Sequence, residues 1–104
     1  MHDLYAEGVL WIRHAGAHRH RGELREALEC LNSSVNCRRA VDDAWGTAEA
    51  LTLRGDVLAQ LSDEGAARRS WREAQMAFEA LGDTRAAELR ERLDGALPDS
   101  LAGQ

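Results

Sequence analysis

His14 and His18 stand four residues apart in the stretch "HAGAHRH". On a helix that spacing puts two imidazoles on one face, where they can share a metal ion. Cys30 and Cys37 follow in the next segment and could add thiolates. Against a metal, there is no Cys-x-x-Cys, and no carboxylate lies at helical spacing from either histidine. Imidazoles and arginines are also favoured where a helix ends, because they meet the negative end of its dipole. That second account is the simpler one, and neither a metal nor a cofactor is expected. On one helix, two turns separate the cysteines by roughly 10 Å, too far for a mutual disulfide. Two free thiols are expected, as suits a reducing compartment.

Carboxylates are plentiful, among them Asp42, Asp43, Glu49, Glu64, Glu88 and Glu91. Acid–base catalysis would need two of them in a pocket with displaced pKa values. Their positions instead suit helix caps or pairing with arginine one turn on, as Glu88 does with Arg92. Phosphate-binding glycine loops and nucleophile elbows are absent. The chain has no lysine, which removes Schiff-base chemistry. An enzyme is therefore not expected. With a net charge of -5 and its arginines scattered among acids, the chain offers no basic face for nucleic acid. No apolar run reaches the length of a membrane span. His2, Asp3 and Glu7 interrupt any signal-peptide shape. The expectation is a cytoplasmic protein without membrane contact.

The elements that would carry these residues are helices. Apolar or small residues recur at spacings of three and four: Leu4, Gly8, Trp11, Ala15 and His18; then Leu24, Ala27, Leu31, Ser34 and Val41; then Ala44, Ala48, Leu51, Gly55 and Leu58. Ala67, Trp71, Ala74, Phe78 and Leu81 form a fourth stripe, and Ala86, Leu89, Leu93 and Leu97 a fifth. No segment alternates with period two, so no strand is expected. Gly82 can close one helix in the left-handed conformation, and Asp83 can cap the next. Five helices are predicted at about 3–19, 23–41, 44–61, 64–81 and 84–97, in a single domain of residues 1–97, with 98–104 as a flexible tail after Pro98. Linkers of two to four residues make consecutive helices antiparallel.

The pattern repeats. Shifted by 40 residues, Ala27 meets Ala67, Ala40 meets Ala80, Asp43 meets Asp83, Leu53 meets Leu93 and Gly55 meets Gly95. Small residues at such positions let helices cross closely: Ala15, Gly55 and Gly95 on the first helix of each unit, Ala27 and Ala67 on the second. Trp11, Leu51, Leu31 and Trp71 are expected to fill the space around them.

Trp11, Ala15, Gly22 and Ala27, followed by Leu51, Gly55, Ala67 and Ala74, resemble the tetratricopeptide repeat (TPR). The resemblance covers about residues 4 to 97. Its period of 40 is more similar to the long repeats in the C-terminal arrays of actinobacterial antibiotic regulators and maltose-regulator-like transcription activators. The sequence departs from the pattern at His14, His18 and Arg54, which stand where large apolar residues are usual, and at Ser62, which replaces a turn glycine. The resemblance implies an all-α, TPR-like right-handed array: two antiparallel helix pairs plus a C-terminal closing helix.

It also implies a non-enzymatic protein–protein interaction module, part of or related to a bacterial transcriptional regulator. Its concave groove would hold a peptide or partner protein through Val9, Ile12, Gly16 and Arg19, then Glu49, Thr52, Asp56 and Ala59, then Leu89 and Arg92. The alternative is a self-associating domain. "VLWI" (Val9 to Ile12) is apolar all round its helix, and one buried face would not need that. Leu4, Val9 and Ile12 are the expected contact of a homodimer.

Overall fold

The computed structural model describes residues 3–95 of the 104. The described residues form five helices: α1 Leu4–His20, α2 Leu24–Ala40, α3 Ala44–Gln60, α4 Glu64–Ala80 and α5 Arg85–Gly95. No strand occurs among the described residues. The first four helices each have 17 residues and the fifth has 11. Leu97, Pro98 and the tail expected at 98–104 lie outside the described residues.

One joint is used four times, at 20-residue intervals. Gly22, Asp42, Ser62 and Gly82 all have positive φ, at 78°, 55°, 66° and 68°. After each, an N–H reaches back to the carbonyl five residues earlier: Glu23 to His18 (2.8 Å), Asp43 to Arg38, Asp63 to Leu58 and Asp83 to Phe78 (each 2.9 Å). This is the Schellman closure, which satisfies the orphan carbonyls of a helix end. The residue that completes it also starts the next helix. Asp43 accepts from the Gly46 N–H (2.9 Å), Asp63 from Ala66 (3.2 Å) and Asp83 from Arg85 (2.9 Å). Glu23 makes no such cap; its carboxylate instead meets His18 Nδ1 at 2.9 Å. Asp42 and Ser62 hold the left-handed conformation without glycine's freedom, a strained choice for an L-residue.

Extensive contacts run only between sequence neighbours, α1 with α2, α2 with α3, α3 with α4 and α4 with α5. Polar links add a second order. Arg19 of α1 donates to Gln60 of α3 (2.5 Å), and Arg92 of α5 pairs with Asp56 of α3 (2.6 Å). Across the other side, Arg39 of α2 pairs with Glu73 of α4 (2.6 Å). The odd-numbered helices thus approach one another along one side and the even-numbered along the other.

The core is firmest in α3 and α4. Ala48, Leu51, Ala67, Ala74 and Phe78 are at most 2 % exposed, with Trp71 buried beside them. A Cβ on Gly55 would sit 2.3 Å from Trp71 Nε1, so the close approach expected there is between α3 backbone and an indole. The third member of the small-residue set behaves differently. Nothing stands within 4 Å of a Cβ at Gly95, because no described helix crosses α5 there. Trp11 also departs from its expected filling role: it is 36 % exposed on α1. Val41, Leu81 and Ala44, assigned to apolar stripes, are exposed because they fall in or beside the joints.

One buried residue was hidden by its charge. Arg38 is 5 % exposed and runs between α1 and α3. A Cβ on Gly8 would lie 2.8 Å from its Cγ, and one on Gly46 would lie 2.4 Å from its Nη1. Its Nη1 pairs with Glu49 at 3.0 Å, while its Nε has no hydrogen-bond partner. Forty residues on, Phe78 and Leu89 occupy the corresponding positions and are both buried. The first unit therefore holds an ion pair where the second holds a hydrocarbon contact.

Candidate interaction site

Two recesses open along the side of the odd-numbered helices. The first, about 170 Å³, lies between α3 and α5. Leu53, Phe78 and Leu89 supply apolar surface, Thr52 a hydroxyl, and Glu49, Glu88, Arg85 and Arg92 the charge. The second, about 150 Å³, lies between α1 and α3 and is lined by Ile12, Ala15, Gly16, Arg19, Leu31, Leu53 and Val57. Leu53 lines both and so joins them into one groove.

The helix register explains this lining. Residues 49, 52, 53 and 57 are related by steps of three and four along α3, so one side of that helix serves both recesses. Thr52 also donates its hydroxyl to the Ala48 carbonyl (2.9 Å). Arg85 lies over Trp45 (4.7 Å) and Phe78 (5.9 Å), and Arg92 lies over Trp71 (5.2 Å). Those aromatic faces already carry cations, which fits their reading as packing rather than as a ligand cage.

Of the residues expected in the groove, Ile12, Gly16 and Arg19 line one recess, and Glu49, Thr52, Leu89 and Arg92 line the other. Asp56 lines neither recess, and its carboxylate is committed. It accepts from Arg92 Nη1 (2.6 Å) and Trp71 Nε1 (3.1 Å) and so ties α3, α4 and α5 together. Arg92 thus pairs across helices with Asp56, and not along its own helix with Glu88 as the spacing suggested. Val9 lines neither recess, and Ala59 is half-buried against the core. Leu53, absent from the expected set, is the residue at the centre; its match with Leu93 in the repeat was the available signal.

On α1 the expected association residues are partly occupied. Leu4, Val9 and Ile12 are half-buried, and Ile12 packs against both core clusters of its own chain. The exposed large apolar side chains of this helix are Tyr5 (59 %), Leu10 (50 %) and Trp11. A further hollow of about 470 Å³ spans α2 and α4, with the Arg39–Glu73 pair across it.

The other candidates show little chemistry. His14 stacks edge-on against Trp11 (6.0 Å), and His18 pairs with Glu23. Among the described residues no group of three or more His, Cys, Asp or Glu is placed to hold a metal ion. Cys30 and Cys37 are free thiols. Burial pushes both thiols up, aided by Glu29 beside Cys30 and Glu7 beside Cys37. Protonated thiols are poor nucleophiles. No helix among the described residues is long and apolar enough to cross a membrane. Against known proteins, no family model, no curated protein and no solved structure matches this chain.

Proposed function

We propose that this chain is a TPR-like interaction module, non-enzymatic, that holds a peptide or a partner protein in the groove of α1, α3 and α5. The observation that carries the reading is the paired recess on either side of Leu53. Each recess, at about 170 and 150 Å³, falls below the ~300 Å³ at which small-molecule pockets begin. Each suits one bulky apolar side chain as an anchor, with charge at the rim setting orientation. The partner is a segment with two hydrophobic anchors. The 40-residue period and its resemblance to regulator arrays support a role as the sensing or assembly segment of a transcriptional regulator.

Selection of peptides from a random display library on the purified chain tests this. Gly16→Phe and Thr52→Phe would each plug one recess. Nothing stands within 4 Å of a Cβ at Gly16, so that change leaves the core intact. Selected peptides should carry two apolar anchors and lose affinity for both variants. Peptides that bind the plugged variants as tightly as the parent would refute the groove.

A further inference from the structure

We propose that the outer face of α1 is a self-complementary contact, on which a second copy of the chain docks antiparallel about a two-fold axis near Leu10 and Trp11. This is independent of the groove, which lies on another side of the helix.

The repeat shows what the face lacks. Forty residues on, Ala6, Leu10, Trp11 and Ala17 correspond to Gly46, Ala50, Leu51 and Val57 of α3. Those four are buried, Ala50 to 0 % and Val57 to 1 %. The helix preceding α3 helps cover them: Arg38 of α2 lies against Gly46, and Val57 clusters with Leu31 of α2. No described helix precedes α1, and there Ala6, Leu10, Trp11 and Ala17 are all exposed. The face keeps the character of a helix-covered surface: Leu10 is larger and more apolar than the alanine it matches.

Charge selects the occupant and its direction. The N-terminal half of the face carries Asp3 and Glu7, and the C-terminal half carries Arg13 and His14. Glu7, Leu10, Trp11 and His14 line a shallow recess of about 160 Å³. Antiparallel pairing centred on Leu10 and Trp11 sets Glu7 of each copy against Arg13 and His14 of the other. Parallel pairing would put acid on acid. Head-to-tail stacking on α5 would set Leu10 and Trp11 against the exposed carboxylates Glu88 and Glu91. The antiparallel pairing is an isologous pair through α1, the commonest closed symmetry. One helix pair is a small interface, below about 1,200 Å², so a transient dimer is expected.

Sedimentation of the intact chain from about 1 µM to about 1 mM reads this directly. The mass should climb toward twice that of the monomer. Leu10→Glu should weaken association on the order of tenfold or more, with an unchanged helical circular dichroism spectrum. Met76→Glu, at another exposed apolar side chain on α4, should leave it unchanged. Arg13→Glu should weaken association about two- to fivefold, and adding Glu7→Arg should restore it. A folded chain that stays monomeric throughout would overturn the proposal and give the face to some other helix. Equal effects of Leu10→Glu and Met76→Glu, or charge reversals that add without rescue, would overturn it as well.

Discussion

The same substitution should have opposite signs at two glycines. Gly16 and Gly55 both sit inside 17-residue helices, so alanine at either gains about 0.8–1 kcal/mol of helix propensity. At Gly16 nothing opposes that gain, since no atom stands within 4 Å of the new methyl. Gly16→Ala should therefore stabilise by close to that amount. At Gly55 the methyl would lie 2.3 Å from Trp71 Nε1 and 2.4 Å from its Cδ1. The indole is rigid and 7 % exposed, so it cannot swing aside. Overpacking of this kind costs about 1–3 kcal/mol. Displacing the ring also loosens its hydrogen bonds to the Thr52 carbonyl (3.2 Å) and Asp56 (3.1 Å), worth about 1 kcal/mol together with their reorganisation. Net, Gly55→Ala should destabilise by about 1–3 kcal/mol after the propensity gain is subtracted. Thermal melts should separate the two variants, at about 4–8 °C for each kcal/mol in a domain of this size. If Gly55→Ala melts at or above the parent, the contact between α3 backbone and Trp71 is wrong.

Other expectations follow from the joints and the buried charge. Ser62→Gly and Asp42→Gly should each stabilise by about 0.5–1 kcal/mol, because both positions have positive φ; urea melts would show a raised midpoint with an unchanged slope. Glu49→Leu alone should destabilise by about 3 kcal/mol by stranding the guanidinium of Arg38, whereas Arg38→Phe with Glu49→Leu, copying Phe78 and Leu89, should recover the parent stability or exceed it; a double-mutant cycle by denaturant decides. The Asp83 carboxyl is held below its usual value, first by the Arg85 backbone N–H, against an opposing effect of desolvation, with further help from the Trp45 indole and the Arg85 charge. A depressed carboxyl stabilises the fold above its unfolded pKa and loses that contribution as it protonates, so the α4–α5 joint should loosen below about pH 4. Trp45 fluorescence should report the change, since Trp45 Nε1 donates to Asp83 at 3.0 Å, and Asp83→Ala should abolish that acid transition.

The sequence made the helices legible because each joint is a local event. Gly82 followed by Asp83 announces a stop and a cap in adjacent letters, and the 40-residue shift finds its counterpart around Asp43. The registers of α3 and α4 were readable for the same reason, as Leu51, Gly55, Trp71 and Phe78 recur at helical spacing and are buried. What escaped depends on neighbours distant in the chain. Arg38 looks like a surface residue until two glycines, one from α1 and one from α3, make room for it. Trp11 looks like core, yet the helix that would cover it is not among those described. Arg92 has a good local partner in Glu88, but Asp56 on another helix takes the bond. Leu53 joins the two recesses only because α1 and α5 both approach α3, which no local pattern reveals.

The groove is built unevenly. One wall of the recess between α3 and α5 belongs to α5, the shortest of the described helices, held by Ala86, Leu89 and Leu93 and contacted extensively, among those helices, by α4 alone. Among elements held by nearest-neighbour contacts, one packed extensively on a single described helix opens at a lower free energy than one packed on two. That wall therefore undocks more readily than the opposite one, and each undocking dismantles the recess. Whatever fills the recess binds only the docked form and holds α5 down by mass action. Occupancy would then be written into the amide-exchange rates of residues 85–95, so that α5 acts as the groove's own gauge of whether it is full.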